Sequence, residues 1–420
     1  MPSTLLRNIY ALYELQIANY VIPLLTLPYL VRHLGAEAYG WLAFSAAVNF
    51  YFVLFVDAGM NTYASRELAR LDPQRNAERI HEAGALVLHV TALKAALLMV
   101  CGLLLWLCIW FIPTWQAQSS LFAWSFLTVA GSVFFPTWLF QGLQIMHHTL
   151  FCGLAGRLLA TGGIFLWVKG PGDLLWAAAL QSSATLLSGV LALPIIWNLS
   201  SLQWSSPHWK GIRTVARNSR HLAVSEYALT ALSNSTIFLL GMVQSKEVVG
   251  IYAAIEKTLR AAASMFTPII AAIHPRFVQS WFRQPPRTVP QSLRTWSWRL
   301  MLLALVCSAL GYQLSEWGLL ILFGQVTAGY AHLAKILCAW LPFYVANSML
   351  GSWWWIAAGR ENDYAKRTLP GVVIQAGLFA AALLVGTPEL ALWFWVLGEF
   401  TMTCLLIYRC GIFPTQALRT

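Results

Sequence analysis

The sequence predicts an all-α, polytopic membrane protein: twelve transmembrane helices arranged as two pseudo-symmetric six-helix lobes. Three observations carry this reading. Of 420 residues, 58% are hydrophobic and only 10% charged, with a mean hydropathy of +0.62, whereas a soluble domain carries about 25% charged residues. The apolar residues gather into stretches of roughly the 20 residues that a helix needs to cross hydrocarbon. The basic residues sort by loop, as topology demands of a multi-pass chain.

The predicted spans run over about 10–31, 41–60, 83–112, 118–141, 149–168, 173–197, 221–243, 248–272, 296–323, 328–356, 368–386 and 389–409. Each is expected to be helical, because a lipid-exposed backbone must satisfy its own hydrogen bonds. The third and ninth are long and are expected to tilt or to extend beyond the hydrocarbon. Gly386-Thr387-Pro388 is the turn between the last two. With a cytoplasmic N-terminus, the even-numbered loops and both termini hold 19 of the 27 basic residues and the opposite side holds Arg32, Lys169 and Lys246. That asymmetry follows the positive-inside rule and places both termini in the cytoplasm.

The longest basic loop divides the chain into an N-terminal lobe 1–197, a cytoplasmic linker loop 198–220 and a C-terminal lobe 221–420. The halves echo each other. Leu34-Gly35-Ala36-Glu37-Ala38-Tyr39-Gly40 joins spans one and two, and Gln244-Ser245-Lys246-Glu247-Val248-Val249-Gly250 joins spans seven and eight. Glu37 and Gly40 lie 210 residues before Glu247 and Gly250. Parallel repeats of this kind are a transporter architecture, with the site between the lobes.

Five basic residues remain inside apolar stretches: Lys94, Arg157, Lys257, Arg260 and Lys335. A cation there costs several kcal/mol unless it faces a polar cavity or a partner. Together they are candidates for binding an anionic group, at the alternative of interhelical salt bridges or of snorkelling to the interface. Five acids also lie in spans: Glu14, Asp57, Glu226, Glu256 and Glu399. Glu256 and Arg260 are spaced i,i+4 and can pair on one helix face. Glu14 and Glu226 stand at equivalent starts of spans one and seven, so Glu14, Asp57, Glu226 and Glu256 are candidates for gating or ion coupling. The plainer readings are rim carboxylates for Glu14 and Glu226, capping for Asp57 and a neutralised pair for Glu256. Pro23, Pro28, Pro136, Pro194, Pro268 and Pro342 bend spans by removing backbone hydrogen bonds.

The same sequence excludes several classes. The net charge of +11 is spread over short loops, with no basic stripe for nucleic acid. The seven cysteines show no CxxC spacing, so neither a zinc site nor a disulfide framework is expected. The first apolar segment has no small-residue cleavage site and reads as a retained span. No nucleophile elbow, P-loop or HExxH motif is present, and no catalytic residue, metal site or cofactor is expected. His147-His148 reads as a solvated pair in a turn.

The stretch Asn19-Tyr20-Val21-Ile22-Pro23-Leu24-Leu25-Thr26-Leu27-Pro28-Tyr29-Leu30-Val31-Arg32, followed by Leu34-Gly35 and Tyr39-Gly40, resembles the opening of the Wzx-type polysaccharide flippases. These belong to the multidrug/oligosaccharidyl-lipid/polysaccharide (MOP) exporter superfamily, whose fold is MATE-like. Trp138-Leu139-Phe140-Gln141-Gly142, Val248-Val249-Gly250-Ile251-Tyr252-Ala253-Ala254 with Glu256-Lys257, Leu322-Phe323-Gly324 and Tyr330-Ala331 extend the resemblance to about residues 8–360. It departs at the fourth-to-fifth turn, where relatives often carry charges and this chain has His147-His148. The resemblance implies translocation of undecaprenyl-diphosphate-linked oligosaccharide units to the periplasmic leaflet for O-antigen or capsule assembly. It also implies alternating access, an H+ or Na+ gradient or the membrane potential as energy source, and the polysaccharide polymerase and chain-length regulator as partners. A cationic interior suits a diphosphate. Two rivals are weighed: a cation- or proton-coupled exporter of the same superfamily, which would favour an acidic cavity, and a membrane polymerase or ligase, which would need a large periplasmic loop.

Overall fold

The computed structural model describes residues 2–74, 77–199, 202–204, 206–283, 291–327, 329–385 and 387–408. Side chains are described for all of these except 2–21, 77, 221–229, 232, 233, 282, 283, 292 and 385. Every regular element among them is helical. The chain divides into two compact units, Met1–Ala231 and Leu232–Thr420.

The first unit opens with α1 (Pro2–Asp57), a helical run broken at Gly35 by φ 81° and ψ 169°. Only glycine adopts that conformation without strain, so the first two predicted spans meet at a kink rather than a loop. The turn Ala58-Gly59, with φ 44° and 68°, leads into α2 (Met60–Leu71). Then come the long α3 (Ile80–Phe111), the short α4 (Pro113–Gln116), and α5 (Ser119–Ser125), α6 (Leu127–Phe134) and α7 (Thr137–Gly142). Phe135-Pro136 breaks the fourth predicted span between α6 and α7, where proline cannot donate to the ladder. The unit is completed by α8 (Met146–Trp167), α9 (Leu174–Trp197) and most of α10 (Trp209–Ser233). Helices α8 and α9 run in close contact: a Cβ on Gly156 would overlap Ser188 and the Ala184 carbonyl. Small residues permit that approach between membrane helices.

The stretch 198–220, expected to be a loop, is partly helical: α10 starts at Trp209. Its start carries Lys210, Arg213 and Arg217, which lowers hydropathy without disturbing helical geometry. The loop before it is docked on the same unit. Gln203 N–H donates to the Ile80 carbonyl at 3.4 Å, and α10 itself is held to the unit by Asn218 Nδ2, which donates to the Tyr63 hydroxyl at 3.2 Å.

The second unit contains α11 (Ser235–Val243), α12 (Lys246–Ser264), α13 (Thr267–Arg283), α14 (Gln291–Phe323), α15 (Ala331–Cys338), α16 (Trp340–Met349), a π-helical turn Leu350–Ile356, α17 (Glu361–Val385) and α18 (Pro388–Ile407). The Ser245 side chain caps α12 by accepting from Val248 N–H. The wide π-helical turn holds three consecutive, fully buried tryptophans. Trp353 Nε1 donates to the Ile270 carbonyl at 2.8 Å and Trp355 Nε1 to the Leu406 carbonyl at 3.0 Å, tying the turn to α13 and α18.

Ten helical stretches among the described residues are long and apolar enough to cross a membrane. They account for the predicted spans, with the first two counted as one 50-residue stretch and the seventh lying largely among undescribed side chains. Large apolar side chains point outward on many of them, including Met99, Trp110, Trp197, Trp317 and Leu384, as lipid-facing surfaces require. The most apolar windows of α3 and α14 are only 17% and 11% buried, whereas that of Ala331–Ile356 is 72% buried. The two long helices are therefore lipid-facing, and the kinked Ala331–Ile356 run is the interior element of its unit.

Candidate functional site

The charges that the hydropathy pattern left inside spans fall into separate groups in the two units. In the first, Lys94 on α3 is 3% exposed. Its ammonium donates to Asp57 Oδ1 at 3.0 Å and to Asn61 Oδ1 at 2.7 Å. Asp57 is the last residue of α1, and its Oδ1 also accepts from the Asn61 backbone N–H at 3.3 Å. One carboxylate thus accepts a first-turn N–H of α2 and pairs with a buried lysine, so the salt-bridge reading describes this group. Arg157 is half-buried on α8. The side chains of Glu14 and Glu226 lie outside the described residues.

In the second unit, Glu256 and Arg260 form the i,i+4 pair that their spacing implies, with Arg260 NH2 2.7 Å and Nε 2.8 Å from Glu256 Oε1. The Arg260 side chain is 36% exposed, against 10% for Glu256. The guanidinium also lies 5.7 Å from the centre of the Trp340 ring, within the range of cation–π attraction. Tyr252, Glu256, Arg260, Trp340 and Trp395 border a cavity of about 10 Å³, close to the space of one water molecule. Glu256 Oε2 is buried there and makes no hydrogen bond among the described residues. Lys257, half-buried, follows Glu256 one position around the helix. Lys335 is separate from this cluster: it pairs with Glu316 of α14 at 2.7 Å, on an exposed face.

Lys94, Arg260 and Lys335 are thus each held by a carboxylate, and only Glu256, Lys257 and Arg260 of the candidates in the second unit share one helix face or its edge. Two polar pairings have no counterpart in the sequence reading. His89 Nε2 lies 3.1 Å from His208 Nδ1, joining α3 to the loop before α10. Glu399 accepts from Asn347 Nδ2 at 2.6 Å and from Trp340 Nε1 at 3.3 Å. Neither pairing has a local spacing, since 119 and 52 residues separate the histidines and the Asn347–Glu399 pair. His147 and His148 are not a solvated turn pair. They occupy the first turn of α8, half-buried, with His148 stacked on Phe140 at 5.9 Å.

A multi-pass helical protein with paired charges inside its spans has the build of a membrane transporter, and solved structures share its fold. An inward-facing multidrug resistance MATE family transporter of the MOP superfamily superposes with a TM-score of 0.69 at 13% identity, covering 95% of this chain and 97% of that one. The lipid II flippase MurJ, in an inward closed conformation, superposes with a TM-score of 0.68 at 13% identity, covering 94% and 86%. In sequence, the chain is 26% identical over 384 residues to a candidate O-antigen transporter of Escherichia coli (strain K12), covering 91% of this chain and 89% of the relative. A second candidate O-antigen transporter, from Shigella dysenteriae, is 26% identical over 270 residues, covering 64% and 66%. Residues 5–281 match the family described as polysaccharide biosynthesis protein, and the chain belongs to that family.

Proposed function

We propose that this protein is a flippase, not an enzyme, that moves undecaprenyl-diphosphate-linked oligosaccharide units from the cytoplasmic to the periplasmic leaflet for O-antigen or capsule assembly. The observation that carries the reading is Arg260. It sits within a membrane-spanning helix, anchored by Glu256 from one side and over Trp340, yet about a third of its side chain stays accessible. A guanidinium held in this way presents a fixed fork of donors to a phosphate oxygen. Lys257 beside it would add to the positive field. Arg157 and Lys94 would act in the same way within the first unit, Lys94 less than its depth in the span suggested, because two acceptors bind it.

The diphosphate is the part of the substrate that hydrocarbon rejects most strongly. Cations within the spans replace some of the water it loses, while the prenyl tail stays in lipid. Release follows when Glu256 or returning water competes for the guanidinium. The cycle is alternating access driven by an H+ or Na+ gradient or by the membrane potential, in an inner membrane with both termini cytoplasmic. The bilayer, the polymerase and the chain-length regulator are the partners that follow from this reading.

The test is transport at matched protein level, read as surface polysaccharide in cells and as protection of a prenyl-diphosphate oligosaccharide in proteoliposomes. Arg260→Ala and Lys257→Ala should each reduce transport at least tenfold, with Arg260→Lys retaining part. Full transport in the Lys257→Ala, Arg260→Ala double variant would remove the phosphate-binding role.

A further inference from the structure

We propose that Glu399 is a proton-binding site, and that the Asn347 side-chain amide is a two-position switch that offers it a donor when ionised and an acceptor when protonated. Glu399 lies on α18 within a membrane-spanning stretch. Its Oε2 accepts from Asn347 Nδ2 at 2.6 Å and its Oε1 from Trp340 Nε1 at 3.3 Å. Both donors are neutral. No cation among the described residues forms an ion pair with this carboxylate. Arg260 lies over the ring of Trp340 and pairs with Glu256. Arg367 of α17 donates to the Leu405 carbonyl, and Tyr364 of α17 lies within electrostatic reach of Glu399. An anion without a counter-cation is costly in a bilayer, and a proton is the smallest ligand that removes the charge.

The surrounding hydrogen bonds fit both states. With Glu399 ionised, Asn347 Nδ2 donates to Oε2 and, at 3.3 Å, to the Glu399 backbone carbonyl, and Asn347 Oδ1 accepts from Thr403 Oγ1 at 2.8 Å. When a proton from water adds to Oε2, that oxygen becomes a donor and needs an acceptor. A half-turn of the amide supplies one: Oδ1 then faces Glu399, and Nδ2 faces Thr403 Oγ1. The hydroxyl can accept there, because its own hydrogen has a second acceptor in place, the Glu399 backbone carbonyl at 2.9 Å. The turn exchanges the amide's oxygen and nitrogen in place; it gives up the 3.3 Å bond from Nδ2 to the Glu399 backbone carbonyl and leaves the Thr403 hydroxyl as that carbonyl's donor. Trp340 donates to Oε1 in either state. Asn347 and Thr403 are 6% and 7% exposed, so bulk water does not compete for the amide. Trp340 also connects the site to Arg260, and on the flippase reading this is the route by which a coupling proton would act on the substrate cation; the proton site itself does not depend on that reading.

The test uses the purified full-length protein in lipid nanodiscs and infrared difference spectra between alkaline and acidic pH. A protonated-carboxyl C=O band should appear on acidification and be lost in Glu399→Gln, which preserves shape. It should be displaced in frequency in Asn347→Leu, where the switching amide is gone, and in Thr403→Val, where the amide loses its second partner. A band retained in full in Glu399→Gln, or one unmoved in both Asn347→Leu and Thr403→Val, overturns the proposal. These spectra require no transport, so they hold or fail independently of the flippase assignment. A proton site confirmed in a protein that moves no lipid-linked glycan would refute only the latter.

Discussion

The Lys94 ammonium lies 3.0 Å from Asp57 Oδ1 and ties the middle of α3 to the end of α1. The side chains are 4% and 19% exposed, so the pair is poorly screened. Lys94→Ala should destabilise the protein by about 3–5 kcal/mol, because the Asp57 charge is left without its partner. Lys94→Met combined with Asp57→Leu should recover most of that loss. Thermal unfolding of purified protein in detergent checks both, and equal losses in the single and double variants would show that the pair is not what holds these helices.

Gly211 at the start of α10 packs on His89 so tightly that a Cβ there would overlap the imidazole. In Gly211→Ala the ring must move, and with it the 3.1 Å contact to His208. Overpacking of this kind costs about 1–3 kcal/mol. The expected result is faster proteolysis within 202–208 in Gly211→Ala. Adding His89→Ala makes room for the methyl and should slow cleavage again; no difference between the single and double variants would discount the clash.

Gly35 separates backbone strain from crowding. Its φ is +81°, and a Cβ there would meet nothing within 4 Å. Gly35→Ala should therefore cost about 1–3 kcal/mol through backbone conformation alone. Gly318 has equally open surroundings, lies within the helix α14 and has no positive φ. Gly318→Ala should be neutral or stabilising by roughly 0.5–1 kcal/mol. Unfolding midpoints of the two variants against wild type decide this, and a tolerated Gly35→Ala would argue that the kink relaxes.

Much of this fold was readable because hydrocarbon imposes a length and a composition on every span, as α3, α8, α9 and α18 show. The Glu256–Arg260 pair was readable for a related reason: helical periodicity places residues four apart on one face. Hydropathy misread 209–220 as a loop, since it weighs composition and not period. The partners of Lys94, His89 and Glu399 were not legible. They are set by which helix faces meet, at separations of 37, 119 and 52 residues, and no spacing rule reaches that far. Glu399 was visible only as an acid in an apolar stretch; the amide that gives it a second state became visible with the packing of α16 on α18.

Two ion pairs of the second unit test how burial sets the value of a charge. Lys335 and Glu316 meet at 2.7 Å on an exposed face, so Lys335→Ala should leave stability nearly unchanged. Arg260 pairs with a Glu256 that is 8% exposed, and Glu256 Oε2 already makes no hydrogen bond among the described residues. Removing the guanidinium would strand the other oxygen as well, and an unsatisfied buried acceptor costs about 1–3 kcal/mol, more when charged. Arg260→Ala should therefore destabilise clearly more than Lys335→Ala. Glu256→Gln in the Arg260→Ala background should restore part of the loss by removing the stranded charge. Unfolding of the three variants in the same detergent measures the difference. If Lys335→Ala proves the more damaging, the exposed pair is holding α14 to α15, and burial is not what ranks these charges.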